Sequence, residues 1–324
     1  MKQVSIGIDV GGTNTVFGVV DKEGNVMVKD TIPTPKHGNI EQYINDVTAS
    51  INELIKSVTL LNADIEIMGI GIGAPNGNYY TGAIEFAPNL SFRGVVPLAK
   101  LLREKFDLPA IALTNDANAA ALGEMIYGGA KHMKNFVMIT LGTGLGSGIV
   151  VNGEVVYGHD GFAGEIGHTT VIPEGRDCGC GQKGHLETYC SAPGMKRTAF
   201  ELLAKRNATN SLLANYSFNE LESKAIYDAA VKGDEIALEV FEVTGHILGR
   251  TLADTVAYLS PEAIFLFGGP TAAGDYIFKP TKDYMEKYTL PIFKNKVKIL
   301  PSQLKSGDAA IVGASALVWK ELEK

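Results

Sequence analysis

The chain has 324 residues, 45% hydrophobic and 20% charged, with a formal net charge of −7. That length suggests about two domains with an ample core, and the composition excludes a disordered chain. The negative balance excludes a generally basic nucleic-acid-binding surface. Three cysteines, Cys178, Cys180 and Cys190, are too few for a disulfide framework. No apolar run reaches the ~18 residues of a membrane span, and Asp9 interrupts the apolar N-terminal stretch, so it does not read as a signal peptide. A cytoplasmic protein without membrane or nucleic-acid partners is expected.

Glycine is in excess, 37 residues gathered in short clusters, or about 11% against a usual ~7%. In chain order, residues 3–9, 15–21 and 26–32 are β-rich and joined by tight turns, the pattern of an antiparallel meander. An amphipathic helix follows over 39–59, with Ile40, Tyr43, Ile44, Val47, Ile51, Leu54, Ile55 and Val58 on one face, then a buried-type strand over 65–73. The order recurs: a strand over 135–142, a glycine-rich turn, strands over 148–151 and from Glu154, a helix over 235–258 and a strand over 263–269. A terminal helix is expected at roughly 308–323. The chain therefore reads as two copies of one α/β unit, with the boundary near 114–118.

The turn in GIDVGGTNT (7–15) lies between two strands, and no G-x-x-x-x-G-K-[ST] string exists in the chain. GTGLGSG (142–148) runs into a strand and lacks the G-x-G-x-x-G spacing. Both common nucleotide motifs are thus excluded. A glycine hairpin turn still offers backbone N–H groups as an anion nest; Thr13 and Asn14 can add donors, and Asp9 can hold Mg²⁺ through water. Either turn alone is equally well an ordinary hairpin. A second turn, with Thr140 and Thr143 around Gly142, Gly144 and Gly146, lets two such turns grip one nucleotide from both sides of a cleft. Asn115 and Asp116 stand where an Ala-rich helix begins, a position that also suits plain helix capping. His168, Cys178, Cys180 and His185 are spaced H-x9-C-x-C-x4-H, a tetrahedral Zn²⁺ set with no open position. Cys190 lies off that pattern and reads as a buried core thiol.

GIDVGGTNT, TNDANAAALGE, ITLGTGLGSGIV, AGEIGH, CGCGQKGHLE and FLFGGP occur in this order. Together they resemble the ROK family of repressors and sugar kinases, specifically its glucokinase-like members, over nearly the whole chain. The resemblance implies the actin-like ATPase fold, two ribonuclease-H-like lobes around a cleft. The smaller lobe would comprise 1–117 with 302–324, and the larger 118–301. It implies Asp116 as the general base and Asn89, Asn115, Asp116, Glu165, His168 and Glu187 as sugar ligands, with Gly73 nearby. It implies ATP held by Asp9, Gly11, Gly12, Thr13, Asn14, Thr143, Gly144, Gly268 and Gly269, with Mg²⁺. His168 would serve both zinc and sugar, one ring nitrogen to each. The family's usual C-x-C-G-x-x-G-C carries His185 in its last place here, an equally good zinc ligand.

The implied activity is ATP-dependent phosphorylation of a hexose at its 6-hydroxyl, glucose to glucose 6-phosphate being favoured, in carbohydrate metabolism and glycolysis. N-acetylmannosamine, N-acetylglucosamine and other hexoses are the alternatives within the family, and a non-catalytic sugar sensor is the alternative outside catalysis. The family's repressors carry a helix-turn-helix of ~60–80 residues before the first phosphate turn, whereas here the first strand starts by residue 3–4. A homodimer or homotetramer is a family-level expectation.

Overall fold

A computed structural model describes residues 1–35, 39–61, 64–305 and 307–324. The N-terminal apolar run forms β1 (Lys2–Val10), followed by β2 (Asn14–Asp21) and β3 (Val26–Pro33). These strands pair antiparallel in sequence, Ile8 opposite Phe17 and Phe17 opposite Asp30. Helix α1 (Ile40–Leu61) buries Tyr43, Ile44, Val47, Ile51, Leu54 and Val58, the expected stripe. It returns the chain to β4 (Ile65–Ala74), parallel to β1 as a helical crossover requires. A small sheet of β5 (Gly77–Asn78), β6 (Ala83–Glu85) and β7 (Val95–Val96) follows, then α2 (Leu98–Arg103). Strand β8 (Ala110–Asn115), parallel to β4, passes directly into α3 (Asp116–Ile126).

The second half repeats this framework. β9 (Phe136–Leu141), β10 (Leu145–Val151) and β11 (Glu154–Val155) are antiparallel. A long insertion holds α4 (Glu187–Cys190), α5 (Ala192–Arg206), α6 (Ser223–Val231) and α7 (Glu235–Leu259). Then come β12 (Ala263–Phe267), α8 (Asp275–Tyr288), β13 (Lys298–Pro301) and the closing α9 (Ala309–Leu322). The two sheets have matching orders, β3-β2-β1-β4-β8 and β11-β10-β9-β12-β13. Each is the ribonuclease-H-like arrangement, an antiparallel meander extended by two parallel strands.

The last helix of each half crosses to the other half's sheet. α3 packs on β9 and β10, while α9 packs on β1, β4 and β8, and the two helices pack on each other. Glycine makes this possible. A Cβ at Gly7 or Gly71 would lie 1.9 Å from the Ile311 or Ala314 carbonyl oxygen of α9, and one at Gly148 would lie 2.6 Å from Ala121 Cβ of α3. This corrects the expected strand over 148–151: β10 begins already at Leu145, and Gly146 and Gly148 are strand residues beneath a helix. Part of the glycine excess therefore serves helix–sheet approach, and the turn itself is only residues 142–144. Separate apolar cores lie under α1 (Ile6, Phe17, Ile51, Leu54) and among β9, α5 and α7 (Ile139, Met195, Phe241, Leu248).

Candidate active site

The carboxyl ends of β4, β8, β9 and β12 meet at a cleft of ≈ 280 Å³, the position where parallel strands of such sheets present their ligand-binding loops. Its wall includes Asn89, Asn115, Asp116, Thr140, Gly142, Thr143, Gly144, Gly146, Glu165, Glu187 and Gly268, all singled out in the sequence, together with Asn76 and Ser147.

Asn115 and Asp116 occupy the β8–α3 junction. Asn115 caps the helix, its Oδ1 accepting the Ala117 N–H at 2.8 Å, and Asp116 Oδ1 accepts the same N–H at 2.8 Å. The capping role is thus real and leaves the second carboxylate oxygen of Asp116 to the cleft. Asp116 is reachable from the cleft yet ringed by protein, and that burial pushes its carboxyl above the ordinary range against the opposing effect of the Ala117 N–H. Asp9, near the end of β1, is pushed up to about 6 by burial and by the Asp116 charge. Asp9 therefore feels the Asp116 charge.

Gly11, Gly12, Thr13 and Asn14 form the β1–β2 turn at the cleft's edge rather than in its wall. Gly12 abuts Asn89 of the cleft wall, where a Cβ would lie 2.8 Å from the Asn89 carbonyl oxygen. The turn is fastened from behind: Thr34 donates its Oγ1 proton to Gly11 O at 2.7 Å and its N–H to Thr13 O at 2.8 Å. Thr15 Oγ1 lies 2.9 Å from Thr34 Oγ1 and 2.8 Å from Tyr43 Oη on α1. The second turn, Gly142–Gly144, is held similarly, Ala192 N–H donating to Gly142 O at 2.9 Å. Glu187 Oε2 accepts the Leu145 N–H at 3.2 Å, and a Cβ at Gly144 would lie 2.5 Å from that same oxygen. Gly268, at φ +113°, ends β12 with no room for a side chain beside Leu141. Gly269 opens instead on an adjoining hollow of ≈ 340 Å³ lined by Met195, Ser223, Tyr227 and Pro270, an apolar space of the kind a nucleoside base fills.

Glu165 precedes the 3₁₀ turn Ile166–His168. Burial pushes its carboxyl up; the nearby His168 opposes this, and Asp116 and Glu187 add to it. Three carboxylates thus face one space, a donor-hungry surface for a polyhydroxylated ligand. His168 turns Nε2 toward Glu165 Oε2 at 3.9 Å and Nδ1 away, toward His185 Nδ1 at 3.3 Å and Cys178 Sγ at 3.8 Å. Cys180 Sγ lies 3.3 Å from His185 Nδ1, and the four donor atoms all fall within 4.8 Å of one another. A tetrahedral zinc with bonds of about 2.0 Å to nitrogen and 2.3 Å to sulfur needs donor separations of about 3.3–3.8 Å; the three contacts just given match, and the set as a whole, spread to 4.8 Å, would draw in around the ion. Burial pushes the Cys178 thiol up to about 11, and a thiolate there calls for a cation beside it. Cys190 is a buried core thiol, its Sγ 3.7 Å from Thr244 O.

Three contributors carried no sequence signal. Ser147 on β10 donates to Gly164 O and accepts the Ile166 N–H at 3.1 Å, bracketing Glu165. Arg176 pins the cysteine loop to α4 and α5, donating to Thr188 O at 2.7 Å, Gly194 O at 3.0 Å and Glu201 Oε1 at 2.9 Å while stacking on Tyr189. Met195, Ser223 and Tyr227 come together only through the packing of α5 and α6. Among the described residues no helix is long and apolar enough to cross a membrane.

The family model for the ROK family matches residues 5–321. A glucokinase of Halalkalibacterium halodurans is 38% identical over 98% of this chain and 95% of its own length. A ROK family glucokinase from Streptomyces griseus, solved in complex with glucose and AMPPNP, superimposes with a TM-score of 0.79 at 31% identity, covering 98% of this chain and 99% of that one. A ROK transcriptional regulator shares the fold at a TM-score of 0.87 and 24% identity, covering 99% of this chain and 79% of that one. With its paired actin-like lobes, its two glycine turns and a family match over nearly its full length, the chain belongs to the ROK family.

Proposed function

We propose that the protein transfers the γ-phosphoryl group of ATP to the 6-hydroxyl of a hexose, glucose being the favoured substrate. The observation that carries this is the meeting of Asp116, Glu165 and Glu187 with the Gly142–Gly144 turn in one cleft: hydroxyl acceptors and a phosphate cradle share one wall. The relatives named glucokinase support the choice of sugar.

In this reading Asn89, Asn115, Glu165, His168 and Glu187 hold the sugar hydroxyls and aim O6 at the donor. Asp116 accepts the O6 proton as the O6–phosphorus bond forms and the bond to the leaving ADP oxygen breaks. Phosphoryl transfer is loose, so the proton leaves late and positioning outweighs basicity. The raised carboxyl of Asp116 nevertheless brings the base nearer neutral pH. The turns at Gly11–Asn14 and Thr143–Gly144 cradle the phosphates, and Gly268 and Gly269 lead the nucleoside to the apolar hollow. Mg²⁺, held through water by Asp9, would neutralise phosphate charge. Zn²⁺ on His168, Cys178, Cys180 and His185 would stiffen the loop and fix the His168 tautomer, leaving Nε2 for the sugar. The lobes, 1–117 with 302–324 and 118–301, would close over the pair and exclude water. A dimer or tetramer is read by light scattering.

The test is ATP-dependent ADP release against glucose, mannose, fructose, allose, N-acetylglucosamine and N-acetylmannosamine. Glucose turnover with kcat/KM of at least ~10⁴ M⁻¹s⁻¹ is expected. An N-acetyl sugar winning moves the substrate within the family, and sugar binding without turnover on any hexose overturns the kinase in favour of a sensor, a role the shared fold with a regulator permits.

A further inference from the structure

The loop that delivers Glu165 begins at Tyr157, directly after the second half's meander, yet it is bonded to the first half. Asn78 on β5 is 3% exposed and donates Nδ2–H to Asp160 O at 2.8 Å. Its Oδ1 accepts the Tyr80 N–H at 3.0 Å, which locks the amide's orientation. Tyr80 donates its hydroxyl proton to Gly158 O at 2.8 Å. Tyr79 stacks on Tyr157 with ring centres 4.1 Å apart and planes within 5°. Gly161, at φ +92°, has no room for a Cβ: one would lie 2.3 Å from Asn78 Oδ1. None of these groups lines the cleft, and a buried amide bonded on both sides across two halves of a molecule is costly to leave half-satisfied.

We infer that Asn78 and Tyr80 are positioning residues that tie the Glu165 loop to the first half, so that Glu165 is set against the hexose ligands Asn89, Asn115 and Asp116 of that half. This rests on the hexose kinase reading. Asn89, Asn115 and Asp116 already belong to that half. With the loop clasped to it, Glu165, which Ser147 holds from the second sheet, is set against them, while the clasp touches no residue of the Gly142–Gly144 turn. The clasp therefore acts on hexose affinity and not on ATP affinity.

The experiment is calorimetric titration of glucose without nucleotide, beside steady-state kinetics, on the full-length protein. Asn78→Ala removes a buried amide and risks the fold, so the informative variant is Tyr80→Phe: its ring is 58% exposed and only the Gly158 bond is lost. The glucose Kd should weaken by about threefold to tenfold, the range of one hydrogen bond, with the ATP KM changed less than twofold. In a Glu165→Gln background the same substitution should add almost nothing, because both act through one contact. An unchanged glucose Kd in a folded, active Tyr80→Phe enzyme overturns the inference, as does full additivity with Glu165→Gln, the mark of a merely structural role. A wild-type protein inactive on every hexose overturns the kinase reading instead, and that outcome is read before any variant is made.

Discussion

The two halves of the molecule share a strand order but differ in what is inserted between their strands. The first half places only the small β5–β7 sheet and α2 between β4 and β8, whereas the second places the cysteine loop and four helices between β11 and β12. The common framework supplies what is symmetrical in the site: a glycine turn after the first strand, and a helix that crosses to the opposite sheet. The insertions supply what is not, Asn89 from the first and Glu165, Glu187 and much of the apolar hollow beside Gly269 from the second. In the proposed reading, phosphate contact is repeated with the fold, and much of the sugar recognition is added to it. Changes to the framework should then disturb chemistry or stability, and changes to the insertion should disturb recognition.

The largest effect is expected at Asp116. Asp116→Asn keeps an oxygen for the Ala117 N–H, and Asn115 still caps α3, so the fold and the glucose Kd should hold within about threefold while kcat falls ~10²–10⁴-fold. Near-full turnover in this variant would remove the general base from the scheme. Next comes the helix crossing. In Gly71→Ala the new methyl would stand 1.9 Å from a backbone oxygen of α9, and overpacking of that kind costs about 1–3 kcal/mol or more. A thermal midpoint lowered by several degrees is expected, and an unchanged one would show that α9 does not press on this sheet.

These framework features differ in how far the sequence announces them. The β1–β2 turn, the β8–α3 junction and the His/Cys spacing are written in strings of a few residues, and each is found where its string stands. Gly146 is misread as turn because glycine signals a turn locally, while the pressure that selects it here comes from Ala117 of α3, about 29 residues upstream in sequence. Ser147, Arg176 and the Asn78–Asp160 bond escape for the same reason, since their partners lie 12 to 82 residues away and no local pattern marks them. Asn115 shows that capping and cleft roles are not exclusive: one oxygen caps, and the amide is left to the cleft.

Asp9 offers a pH test of the framework. Burial raises its folded carboxyl to about 6, above the unfolded value near 3.9. The folded state thus holds this proton more tightly, and the contribution to stability is greatest below pH ~4 and is lost as pH rises toward 6. Asp9→Asn removes that cost, so it should stabilise the metal-free protein at pH 7 by at most about 3 kcal/mol, a gain that disappears near pH 4, while slowing phosphoryl transfer. Denaturant unfolding at both pH values reads it. A variant less stable than wild type at pH 7 would mean that Asp9 is held by favourable contacts, and a role in binding cations would lose its electrostatic motive.

The smallest effect belongs to the insertion. His185→Cys restores the commoner cysteine at the fourth zinc position and tests whether the donor set, rather than histidine as such, is what the loop requires. His185 is 7% exposed, with its Nδ1 3.3 Å from both His168 Nδ1 and Cys180 Sγ, so a thiol is accommodated within the same cluster. Two thiolates and two imidazoles leave a zinc site neutral, whereas three thiolates and one imidazole give it one negative charge. That charge sits beside Glu165 and should push its carboxyl further up, loosening sugar by no more than about threefold at surface-like screening. Metal content should remain one zinc per chain, and the cobalt-substituted protein should gain sulfur-to-metal charge-transfer intensity in step with the third thiolate. Loss of zinc in this variant would show that the loop is built around imidazole geometry at 185, and wild-type protein purified without chelator and lacking zinc would remove the metal from the site altogether.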